Sequence, residues 1–197
     1  RGMATVSGYA ALLDGNPHER GVNADLGLTR RIAGGNWEIG GLVRAGVVRF
    51  QDLSLQLLDV DRYLAGVEVM RYNIGRRTAR LGLAILGGLD VEQHSNSPFG
   101  NRLAGARLFG GMPLAAQSSL YAEAAWLHAK YSGGGGFFGV ERQDDQYGAA
   151  LAVEFRNWPR SGWSVSPQLR YTRINSNVRL FTYDRMETMV WVKHEFR

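Results

Sequence analysis

The chain has 197 residues, 45% hydrophobic and 21% charged, with 26 glycines, no cysteine and a formal net charge of +5. This length suits one domain of roughly 150 to 200 residues, so residues 1–197 read as a single domain. Zero cysteines exclude a disulfide framework and a thiolate metal site, and no apolar run approaches the roughly 18 residues that suggest a membrane helix. A mean hydropathy of −0.22 leaves a membrane barrel open, because barrel strands carry only an alternating signal.

The first segments in chain order set the pattern. Residues 2–11 place Ala4, Val6 and Ala10 on one parity and Thr5, Ser7 and Tyr9 on the other. In 21–32, Val22, Ala24, Leu26 and Leu28 oppose Asn23, Asp25, Thr29 and Arg31. After the Ala33-Gly34-Gly35 turn, 37–50 sets Trp37, Ile39, Val43, Ala45 and Val47 against Glu38 and Arg44. Residues 62–73 continue with Tyr63, Ala65, Val67 and Val69 against Arg62, Glu68 and Tyr72. In 78–92, five leucines and isoleucines or valines alternate with Arg80, Asp90 and Glu92.

The later segments repeat it. Residues 102–112 put Arg107 opposite Ala104, Ala106 and Leu108, and 119–131 put Tyr121 and Glu123 opposite Leu120, Ala122, Ala124 and Trp126. Residues 146–156 set Glu154 and Arg156 against Tyr147, Leu151 and Phe155, and 163–174 set Ser164, Gln168 and Arg170 against Trp163, Val165, Leu169 and Tyr171. The last, 183–196, opposes Arg185, Glu187, Trp191 and Lys193 to Thr188, Val190, Val192 and Phe196.

Side chains alternate across a strand, so this is a sheet with one apolar and one charged face. Strands of about ten to fourteen residues with that division suit a wall with lipid outside and a wet or ion-paired interior. The links support it, with short ones at 33–36, 74–77, 113–118 and 157–162 and longer ones at 12–20, 52–61, 93–101, 132–144 and 175–182. The expected fold is an all-β, antiparallel, up-and-down transmembrane β-barrel of about ten strands, both termini on the short-turn side, in a bacterial outer membrane. Two aromatic girdles are expected, Trp37, Trp158, Trp163 and Phe196 at one interface and Tyr131, Phe137, Phe138, Tyr147 and Tyr183 at the other. The chain starts at Arg1 without a charged-then-apolar leader and reads as a mature protein or an excised domain.

Twelve charges fall on inward parities: Asp25, Glu38, Arg44, Glu68, Arg80, Arg107, Glu123, Glu154, Arg156, Arg170, Arg185 and Glu187. In a narrow barrel they must pair, meet water or line a pathway. Their mixture with acids, strand after strand, argues for lumen charges over a nucleic-acid surface despite a pI near 9.8. The run 132–138, four glycines before Phe137 and Phe138, lacks the Lys-Ser/Thr of a phosphate loop and reads as an exposed, mobile loop. With four histidines and no cysteine, neither a metal nor a cofactor is indicated. The expected role is non-enzymatic. The enzymatic alternatives are a rim hydrolase using Asp59, Asp61, Asp90, His94, Asp144 and Asp145, or a Ser-His lipid hydrolase using His94 or His128.

The C-terminal segment resembles a known family. Gly162-Trp163-Ser164-Val165-Ser166-Pro167, Leu169-Arg170-Tyr171, Asn175-Ser176-Asn177, Phe181-Thr182-Tyr183-Asp184-Arg185 and the terminal Phe196 resemble the end of the surface lipoprotein assembly modifier barrel. Arg142-Gln143-Asp144-Asp145 is similar to that family's Arg-x-Asp strand start, so the resemblance covers about 143–197. It implies an outer-membrane barrel, part of a larger one, that helps lipoprotein cargo reach the cell surface without catalytic residues. It also implies outer-membrane lipids and the barrel assembly machinery as partners, the latter reading Phe196 as an insertion signal. The remaining alternative is a small channel or structural barrel with an ion-paired lumen.

Overall fold

The computed structural model describes residues 2–13, 16–50, 59–74, 78–94, 99–132 and 139–194. The side-chain parity read at Val6 and Ala10, the loop tip at Phe137 and Phe138, and the terminal Phe196 lie outside the described residues and side chains. The strands are β1 (Gly2–Leu13), β2 (Asn16–Ile32), β3 (Trp37–Phe50), β4 (Val60–Ile74), β5 (Ala79–Glu92), β6 (Asn101–Ala115), β7 (Ser118–Tyr131), β8 (Gln143–Arg156), β9 (Trp163–Ser176) and β10 (Tyr183–His194). They form one antiparallel sheet in which each strand pairs only with its chain neighbours. The all-β meander expected from the alternation is thus present. Among the described residues no ladder joins β1 to β10, so the sheet is curled and open.

The two faces follow the parity. Leu28 (69% exposed), Val67 (61%) and Ile85 (60%) mark a convex face that is apolar and bare, while the next residue inward, Ala84, is 2% exposed. The ladders carry this across the sheet: Leu26 stands opposite Val43, Val43 opposite Ala65, and Ala65 opposite Gly87. Chains that live in water rarely expose contiguous apolar surface of this extent.

Turn chemistry fixes the hairpins. Between β2 and β3 the chain makes a 3-10 turn over Ala33–Gly35, with Gly34 at φ 67° and Gly35 at φ 85°. Those are left-handed conformations that a side chain disfavours, so two glycines suit the reversal. Between β6 and β7 only Ala116 and Gln117 intervene.

Strand ends differ from the sequence reading at the long-loop side. β2 starts at Asn16 and β8 at Gln143, so the links expected at 12–20 and 132–144 are shorter than read, and the first hairpin breaks the short-long alternation. Backbone pairing runs past the apolar stretch into polar sequence, as at Leu13 opposite Asn16 and Lys130 opposite Gln143. Hydropathy does not see such rungs, because their side chains need no apolar face.

Candidate functional site

The twelve charges expected inside all take the concave parity. At mid-height, Arg44 stands beside its cross-strand partner Asp25, with Nε 2.5 Å from Oδ1. Arg107 of β6 reaches both ways along the curl, to Glu68 of β4 (3.9 Å) and to Glu123 of β7 (3.5 Å). Its guanidinium lies 4.6 Å from the Phe109 ring centre. Phe109 in turn lies over Gly82, where a β-carbon would come within 2.5 Å of the ring. A glycine there lets the aromatic settle flat against the sheet.

Nearer the short turns, Glu38 accepts from the Arg31 guanidinium (3.4 Å) and the Tyr72 hydroxyl (3.1 Å). The Tyr121 hydroxyl donates to Glu154 (3.1 Å) and carries the Arg80 guanidinium 5.2 Å from its ring centre. Arg156 donates to the Ser119 hydroxyl (3.4 Å), and Arg185 pairs with Glu187 (3.2 Å). Arg170, exposed, shares a recess of about 570 Å³ with Arg80 and Glu123. A second recess, of about 510 Å³, holds Asp25, Glu38, Arg44, Glu68 and Arg107. Ion pairs of this kind, open to water, leave a hydrated and charged concave face.

The long-loop end is built differently. Arg142 and Asp144 form a bidentate pair in which the side chains are only 8% and 5% exposed. The guanidinium lies 4.2 Å from the Tyr131 ring centre and 3.4 Å from that of Phe181, and Phe99 packs edge-on against Phe181 at 6.3 Å. Alongside, Asp90 takes two hydrogen bonds of 2.7 Å from Arg62 and one of 3.1 Å from the Asn101 amide. These groups line a recess of about 470 Å³ to which residues from β3 through β10 contribute. Planar guanidinium suits this placement, because it can bond a carboxylate edge-on and stack on rings with its faces.

No protein-family model, curated protein or solved structure matches the chain.

The acids read as a rim cluster go to two faces. Asp90 and Asp144 are concave, buried and each bound to an arginine, whereas Asp61 meets Arg49 at 2.5 Å and Asp145 meets His128 at 3.0 Å on the convex side. Asp59 accepts from the backbone N–H of Phe50 (2.8 Å), and among the described residues the buried Nδ1 of His94 has no hydrogen-bond partner. Among the described residues no group of three or more His, Asp or Glu is placed to hold a metal ion.

Two girdle residues are corrected. Tyr131 and Tyr183 line the concave recess at the long-loop end instead of facing outward. Tyr131 ends β7 on the same parity as Tyr121 and Glu123, so the strand's own alternation turns it inward. Trp126 and Tyr147, directly opposite each other, are exposed convex aromatics toward that end, as are Tyr63 and Tyr171. The Arg142 clamp was missed as a site because Arg142 precedes the apolar stretch of β8 and Phe181 comes from a 3-10 turn, Arg179–Phe181. Arg62 and Asp90 were readable, sharing an inward parity on adjacent strands.

Proposed function

We propose that the curled sheet is the wall of a transmembrane β-barrel in a bacterial outer membrane, with the short turns on the periplasmic side and a non-enzymatic role in passing or assembling hydrophilic cargo. The observation that carries this reading is the division of faces: bare Leu, Val and Ile on the convex side and paired carboxylates and guanidiniums on the concave side. Lipid can cover the first, and only water or counter-charges can satisfy the second. Within lipid, an unpaired strand edge leaves backbone N–H and C=O groups unsatisfied, so β1 and β10 must pair with each other or with further strands. The surface lipoprotein as cargo rests on the likeness of 143–197 to the assembly-modifier barrel.

The membrane part is tested by placing arginine on the convex belt. Ile85→Arg is expected to cost about 2–4 kcal/mol of folding free energy in lipid vesicles. In denaturant titrations, a loss near zero would mean that Ile85 does not meet lipid. Cargo is tested by surface labelling of lipoproteins in a strain lacking the gene, where unchanged display removes the lipoprotein role and leaves a channel or structural barrel.

A further inference from the structure

Two places on the convex face set like charges directly across a rung. Arg20 stands opposite Arg49, and Arg102 stands opposite Lys130, each pair near the long-loop ends of its strands. Opposed like charges destabilise a sheet unless something neutralises them. In the first pair the neutraliser is internal: Arg49 donates to the carbonyls of Val48 and Val60, each at 2.9 Å, and pairs with Asp61 at 2.5 Å. The second pair lacks such an arrangement. Lys130 has one loose contact with Glu141 at 3.4 Å, both side chains more than half exposed. Arg102 is exposed and has no carboxylate within ion-pair distance among the described residues.

The surroundings indicate what could fill this gap. Arg102 shares its parity with the exposed Leu108, and Lys130 shares its parity with Trp126, so both cations stand on the apolar face at its long-loop margin. Asp145, on the same face opposite His128, is already taken by Trp126 Nε1 (3.1 Å) and His128 Nδ1 (3.0 Å). Trp126 and its partner Tyr147 lie just toward the membrane centre, and such rings favour the headgroup level. A guanidinium and an ammonium side by side at that level fit a phosphate, which accepts from both.

We propose that Arg102 and Lys130 form a site for the phosphate of an anionic lipid headgroup in the leaflet at the long-loop end. This rests on the barrel reading. The probe is a protein whose only tryptophan is Trp126, the other four being replaced by phenylalanine, in phosphatidylcholine vesicles containing brominated phosphatidic acid or brominated phosphatidylcholine. The acidic lipid is expected to quench Trp126 more strongly at equal content, with the preference falling roughly fivefold per cation removed in Arg102→Gln and Lys130→Gln. Arg20→Gln with Arg49→Gln, a charge-matched change elsewhere, leaves the preference in place. Equal quenching by the two lipids, or a preference lost equally in the control, overturns the site. Quenching by neither lipid overturns the barrel reading first and this inference with it. Persistent quenching by phosphatidylcholine in every variant shows that the protein is still inserted.

Discussion

The ion pairs at the long-loop end and those at mid-height use the same side chains and differ in their surroundings. Arg142 and Asp144 are almost wholly enclosed and sandwiched by Tyr131 and Phe181. Arg44 with Asp25, and Arg107 with Glu68 and Glu123, keep about a third or more of at least one partner open to water. A buried pair resists disruption because removing one partner strands an enclosed charge, whereas an exposed pair contributes little to stability and keeps its charges hydrated. The long-loop end therefore serves as a clamp and the middle as a lining.

The largest expected effect is at the clamp. Asp144→Ala leaves the Arg142 guanidinium enclosed without its counter-charge and is expected to cost about 3–5 kcal/mol in denaturant titrations of the folded protein. Replacing both, Arg142→Met with Asp144→Leu, should recover most of that loss, and if the double variant is no better than the single one, then packing and not charge is the cause. Next comes Asp90→Ala, expected to cost about 1–3 kcal/mol, because Arg62 is 40% exposed and can turn to water while Asn101 keeps its bond to the Phe99 carbonyl. A cost equal to that of Asp144→Ala would erase the distinction between enclosed and half-open pairs. Smallest is Glu68→Gln with Glu123→Gln, expected to shift stability by less than about 1 kcal/mol. The same change should move the anion-to-cation preference of any conductance measured in planar bilayers, since it leaves Arg107 without both carboxylates. A large loss of stability there would make the middle a clamp as well.

How far these regions could be read beforehand depends on where apolar patterning stops. Leu26 announces a bare face because Asp25 and Gly27 flank it, Ile85 does so through its place in the alternate series Leu81, Leu83, Ile85, Leu89, and Asp25 with Arg44 follows from the same period of two. The clamp has no such signal. Its arginine precedes the apolar part of β8, its phenylalanine sits in a 3-10 turn, and its tyrosine takes the concave parity at the last position of β7. Tyr131 and Arg142 meet across the β7–β8 hairpin, where the Tyr131 N–H donates to the Arg142 carbonyl (3.0 Å), and Phe181 reaches the same guanidinium from beyond β9, a meeting that apolar patterning does not announce. The start of β2 at Asn16 carries no hydropathy signal for a related reason, since backbone rungs beyond the apolar band are held by hydrogen bonds that nearly any side chain permits.

The strictly sequential pairing of the strands carries a consequence for how the fold is reached. Every ladder from β1 to β10 joins chain neighbours, so each ladder spans no more than one hairpin and each new hairpin closes onto an edge already formed. Assembly can proceed as a zipper in which the growing edge is always the last strand added. Any pairing of the first strand with the last would be the exception, a single long-range closure spanning almost the whole chain, and the step at which the entropic cost of ordering is concentrated.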